Sequence, residues 1–145
     1  MLCAAKLDER LEPLEEQLRT AEAITGELMS TVIATACPNF CALSAAAKAK
    51  VNWLIQAGAW TDATLALVKL ELPQWDVQRL SHDRGNWICS LSKQPNTRDE
   101  HREFAAASHP LLPLAILRAL LREKRAGASA QEDLHLRASV GRPGL

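Results

Sequence analysis

A chain of 145 residues is long enough for one domain with its own core. Its 17 basic and 17 acidic side chains cancel, which excludes a nucleic-acid cradle spread over the whole molecule and an acidic solvating chain alike. Alanine and leucine supply 47 of the 69 apolar residues, against ten valines and isoleucines and no tyrosine. The first two lead the helix scale and the others favour strands, so the expected fold is α+β, mainly helical, with four to five helices and one β-hairpin over about 75–92.

In chain order, residues 7–34 predict an amphipathic helix. Leu7, Leu11, Leu14, Leu18, Ala21, Thr25, Leu28 and Val32 alternate steps of four and three and so share one stripe. Pro13 lacks an amide hydrogen, so the regular helix should begin near it, with Leu7 to Glu12 as a lead-in or kinked turn. Cys37-Pro38-Asn39-Phe40-Cys41 is turn chemistry. A second helix follows from Ser44 to Gln56, stopped by Gly58, and a third from Asp62 to about Leu72, capped by Thr61 and ended by Pro73. Trp53 and Trp60 flank that turn and are expected to pack it shut.

The strand signal is confined to Trp75–Ser92, with Asp83-Arg84-Gly85 as a three-residue loop. With His82 facing Asn86, Leu80 pairs with Ile88, Arg79 with Cys89 and Val77 with Leu91. Trp87, Cys89 and Leu91 then share one face, Ile88 and Leu80 the other. After a loop around Pro95, Thr97-Arg98-Asp99-Glu100 has the spacing of a capping box and predicts a short helix to about Ala107. Ser108-His109-Pro110 restarts the chain with Pro110 in the first turn of a last helix, which ends near Arg125. Leu111, Leu112, Leu114, Ile116, Leu117, Leu120 and Leu121 leave that helix a narrow polar edge, which places it in a core or an interface. The chain thus divides into an amphipathic N-terminal helix (1–36), a small helical core with the hairpin (37–125) and a disordered tail (126–145).

Leu28 to Ala47 is twenty residues without a formal charge, the length of a membrane helix. Its apolar content is mostly alanine and it holds Pro38 and Asn39, so no membrane span is expected. The N-terminus becomes acidic and amphipathic too soon for a secretory signal. Read from Met29 as an internal start, the Ala-rich stretch has no basic segment before it. Cys3, Cys37, Cys41 and Cys89 do not form a secreted disulfide framework, and reduced thiols in a cytoplasmic protein are expected.

No catalytic, cofactor-binding or metal-ligating residue is assigned from these residues, and no cofactor is expected. Cys37-x-x-x-Cys41 lacks the second close pair that tetrahedral zinc needs, and a site joining it to Cys89 and a histidine has no recognised spacing. The separation of three is also one longer than the thioredoxin-type pair. Exposed or capping roles are the default for His82, His101, His109 and His135, and Ser81-His82-Asp83 is too contiguous to be a triad. None of the six glycines builds a phosphate cradle. The second helix of the pair around Gly58 is too poor in basic side chains to read a DNA groove. Charge does segregate. Residues 1–30 carry three basic and seven acidic side chains, and residues 101–145 seven basic and four acidic.

Leu72 to Ser92, through Trp75, Arg79-Leu80, Asp83-x-Gly85-x-Trp87-x-Cys89-x-Leu91-Ser92, followed by Pro110 to Leu121, resembles short bacterial proteins of alphaproteobacterial type. The resemblance covers roughly 51–125 and implies the hairpin, the Ala/Leu helix and a cytoplasmic location, with no activity attached. The function these features favour is non-enzymatic, through contacts with a second copy or another protein made by the Leu-rich stripe of the first helix or by the last helix. One alternative is a metal- or thiol-dependent protein using Cys37, Cys41, Cys89 and a histidine. A weaker one is nucleic-acid binding through Arg118, Arg122, Lys124, Arg125, Arg137 and Arg142.

Overall fold

The computed structural model describes residues 4–93 and 104–140, with side chains described over 9–93 and 105–126. The elements are α1 (Ala4–Thr20), α2 (Gly26–Ala36), α3 (Pro38–Cys41), α4 (Ala45–Gln56), α5 (Trp60–Glu71), β1 (Trp75–Asp83), β2 (Asn86–Lys93), β3 (Phe104–His109) and α6 (Leu112–Val140). The class is α+β, mainly helical, with an antiparallel sheet of order β1-β2-β3. Among the described residues no helix is long and apolar enough to cross a membrane. The uncharged stretch from Leu28 is divided among α2, α3 and the start of α4.

The predicted first helix is two. Thr25 ends the connection after α1 and caps α2, its hydroxyl accepting from the Leu28 N–H at 3.1 Å. Pro13 lies inside α1 and does not start it. The bond lost to the Glu9 carbonyl is offset by burial of Leu11, Leu14 and Leu18, each contributing about 1.5–3 kcal/mol. That stripe is therefore core, in one cluster with residues of the other helices and the sheet.

Ser44 caps α4, accepting from the Ala47 N–H at 3.3 Å. The helix ends in a Schellman motif: Gly58, at φ +73°, donates to Ile55 and Ala59 donates to Leu54. This geometry runs directly into α5, so its N-cap is Ala59 and the expected Thr61 cap is absent.

The hairpin closes one residue tighter than predicted. Its loop is Arg84-Gly85, both at positive φ (51° and 83°), the conformation whose twist suits paired strands. Asp83 therefore pairs with Asn86, His82 with Trp87, Leu80 with Cys89 and Arg79 with Ser90. An irregularity between Val77 and Arg79 absorbs Gln78, and Val77 meets Leu91 as expected. The shift moves Leu80 and His82 to the face of Trp87, Cys89 and Leu91, so the Leu80–Ile88 and Arg79–Cys89 pairs do not form.

Residues 104–109, up to Ala107 expected as helix, form a strand pairing with β2 from Trp87↔His109 to Ser92↔Phe104. Ala105, Ala107 and His109 are buried and Ala106 and Ser108 exposed, an alternation that pairing imposes on a run with high helix propensity. The capping box Thr97–Glu100, the Pro95 loop and His101 lie outside the described residues, as does Cys3.

α6 starts at Leu112, so Pro113, not Pro110, occupies its first turn. It continues through Gly127 to Val140, and residues 126–140, expected as a disordered tail, are helical. Ala, Gln, Glu, Leu and Arg around that glycine are strong helix formers, which outweigh its penalty of about 1 kcal/mol. Leu114 to Leu117 and Ala119 to Leu121 are fully buried, against α1, α5 and the inner face of the sheet.

Candidate functional site

Among the described residues, polar side chains join the elements at three junctions. At the first, Glu71 ends α5 on the same stripe as Thr64, Leu67 and Val68, and its side chain has no solvent exposure. Its carboxylate accepts from the backbone N–H groups of Asn39 (3.3 Å) and Phe40 (2.7 Å) and from Lys124 Nζ (2.9 Å). Asn39 Nδ2 returns a bond to the Leu70 carbonyl at 3.2 Å. The short α3 is thereby fixed to α5 and α6. Cys37, just before α3, is buried. Burial, with the Glu71 charge beside it, pushes its thiol up to about 12. Such a thiol is neither nucleophile nor ready metal ligand near neutral pH.

Among the described residues Cys37, Cys41 and Cys89 are free thiols and belong to no group arranged to hold a metal. Cys41 is exposed at the end of α3, its Sγ donating to the Ile33 carbonyl at 3.5 Å. Cys89 is buried on the inner face of β2, its thiol pushed up to about 11 by burial. In the observed register His82 does share the face of Cys89, contrary to expectation, but among the described residues no group of three or more His, Cys, Asp or Glu is arranged to hold a metal.

At the second junction, the basic edge of α6 is engaged within the chain. Arg118 donates to the Ser108 carbonyl, and Arg122 to the Ala106 carbonyl at 2.6 Å. Arg125 pairs with Glu15 of α1, and Arg122 Nε stands 3.8 Å from the same carboxylate. Lys124 is held by Glu71. A cleft of about 650 Å³ beside this seam is lined by Glu9, Glu12, Glu16, Arg19, Arg118 and Arg125. Arg19 and Glu16 pair with each other across one turn of α1. The Arg137 side chain and the whole of Arg142 lie outside what is described.

At the third, His109 is buried where β3 meets α6, and its Nδ1 accepts from the Leu111 N–H at 2.9 Å. Of the default roles expected for histidines, it has the capping one.

The surface offers fewer features. Trp53 does not close the α4–α5 turn: it is 66 % exposed, while Trp60 is half-buried. Val51 is the only buried residue of α4. Lys48 stands 5.8 Å from the Phe40 ring centroid, Lys50 is exposed, and α4 has no acidic residue. Leu80 near the hairpin tip is 37 % exposed.

Glu71 could have been singled out in the sequence as a charged residue on an apolar stripe. The exposure of Trp53 had no such signal, since a tryptophan beside a turn more often packs than protrudes. Within Leu72 to Ser92, Trp75, Cys89 and Leu91 are core, and Gly85 supplies positive φ. No protein-family model, curated protein or solved structure matches this chain.

Proposed function

We propose that the chain acts without catalysis, by contact with another protein, and that the contact surface is the outer face of α4 centred on Trp53. Most of the leucines of the α1 and α6 stripes, expected as the interface, pack in the chain's own core, which favours a different surface. The exposure of Trp53 carries the reading. A tryptophan left in water forgoes much of the stabilisation its large apolar surface would bring, and aromatic anchors of this kind dominate binding energies when a partner covers them. Lys50, one turn before Trp53 and with no carboxylate on the helix, favours a partner segment in which acidic side chains flank an apolar residue.

The test is selection from a random peptide display library on the purified 145-residue chain. Enriched peptides should carry acid-flanked apolar residues and lose at least about tenfold in affinity to a Trp53→Ala variant, a 1.4 kcal/mol effect, while the thermal melt of that variant stays unchanged. Selected peptides that bind Trp53→Ala as tightly as wild type, or no enrichment at all, would overturn it. Sedimentation of the free chain adds a further outcome: self-association abolished by Trp53→Ala would identify the partner as a second copy, replacing the acidic segment.

A further inference from the structure

We propose that His109 is a pH-operated latch, which in its neutral form ties the C-terminal turn of α1 and the first turn of α6 to the end of β3, and which opens that corner of the fold when protonated. The side chain is 3 % exposed. Because the Leu111 N–H donates to Nδ1, that nitrogen carries the lone pair and the proton is on Nε2. The ring also faces the backbone at Ala21 and Leu18, beside the last turn of α1, where the carbonyl dipoles favour its proton. Leu111 is the residue before α6, and its own carbonyl accepts from the Ala115 N–H at 3.0 Å. One imidazole thus stands between two helix ends, bonded at the start of α6 and facing the end of α1. Protonation would place a second ring N–H against the Leu111 N–H, losing that bond and leaving a charge where little water reaches.

Among the described residues no carboxylate is set against that charge, and only the backbone at Ala21 and Leu18 favours it. On α6 the facing charge is Arg118, of the same sign. The charged side chains in the last turns of α1, Glu16 and Arg19, pair with each other. On β2 the cross-strand neighbour is Trp87, and beyond it on β1 is His82, its ring edge-on to Trp87 at 4.9 Å between centroids. Burial holds the imidazole below its ordinary range, the backbone at Ala21 opposes that, Arg118 adds to the depression, and the backbone at Leu18 opposes it. The sign follows. The opened form takes up its proton near the ordinary value of about 6.5 and the closed form only at lower pH, so the latch is fully closed above that value. Within the window between the two, the opening constant rises about tenfold per pH unit of acidification.

Amide hydrogen exchange of the full chain, corrected for intrinsic rates, reads this directly at Leu111 and at Leu18 to Ala21. Protection there should fall with that slope below about pH 6.5 while Leu67 and Leu91 in the core hold theirs. His109→Gln is neutral at every pH and keeps one donor and one acceptor, so its protection should be flat. His82→Gln should keep the wild-type profile. If His109→Gln does not fold, imidazole nitrogen spectra of the wild type decide: the Nε2–H form at neutral pH, titrating together with the loss of Leu111 protection, is the expected result. Flat wild-type protection, a His109→Gln profile as steep as wild type, or the Nδ1–H form would each overturn the proposal.

Discussion

A carboxylate withdrawn from water loses several kcal/mol of hydration, and Glu71 regains it from three donors on two other helices, the Asn39 and Phe40 amides and the Lys124 ammonium. Two of the donors are at the start of α3, where amides lack helical partners; the third neutralises the charge. Glu71→Ala strands all three at once and should cost about 3–5 kcal/mol in urea unfolding, the range for one partner removed from a buried pair. Lys124→Met leaves both amide bonds in place and should cost less, and Glu71→Leu with Lys124→Met should recover part of the loss. A Glu71→Ala loss no larger than about 0.5 kcal/mol, as for a surface change, would show that the junction is not held this way. The sequence contains the anomaly, a glutamate on the stripe of Leu67 and Val68, but not its resolution, because the partners lie 32, 31 and 53 residues away.

Among the elements, β3 departs furthest from its local sequence. Phe104-Ala-Ala-Ala-Ser-His109 has an outer edge that, among the described residues, no strand covers, and such an edge invites pairing with other chains. Arg118 and Arg122, one turn apart on α6, donate to the carbonyls of Ser108 and Ala106. Their spacing of two residues is that of carbonyls turned away from the neighbouring strand. The guanidiniums take the place of a fourth strand, and the small Ala105 and Ala107 side chains beneath let α6 approach. Replacing both arginines by methionine should lower stability by about 2 kcal/mol, allowing for the exposure of Arg122, and light scattering should show association that the wild type lacks. A variant as stable and as monomeric as wild type would dismiss the capping role. Helices with caps and a stripe, and the hairpin with its glycine, were legible in the sequence because their determinants are local. β3 was not, since alanine carries almost no period and its pairing is set by β2. The one-residue shift of the hairpin tip turned on whether Asp83 belongs to loop or strand, which the turn residues alone leave open.

At the scale of the molecule, the zero net charge conceals an acidic N-terminal region and a basic C-terminal one, and the fold brings them into one seam where Glu15 of α1 meets Arg125 and Arg122 of α6. The segregation was legible in composition. Its meeting point was not, because it depends on how α1 lies along α6 when Leu11, Leu14 and Leu18 are buried. The same burial makes the seam a contact within one chain. Glu15→Gln keeps the shape and removes the charge, leaving two guanidiniums without the anion between them. The carboxylate is only 16 % exposed, so solvent screens it less than a surface pair, and the expected loss is about 1–3 kcal/mol. Two further measurements distinguish this arrangement from a seam between copies. The melting temperature of wild type and variant should not depend on protein concentration, as it would if folding were coupled to dimerisation. Raising the salt concentration should destabilise the wild type more than the variant, because screening weakens an attraction the variant no longer has. A concentration-dependent melt would move the seam to a dimer interface, and equal salt responses would mean that the leucine stripe alone holds α1 in place.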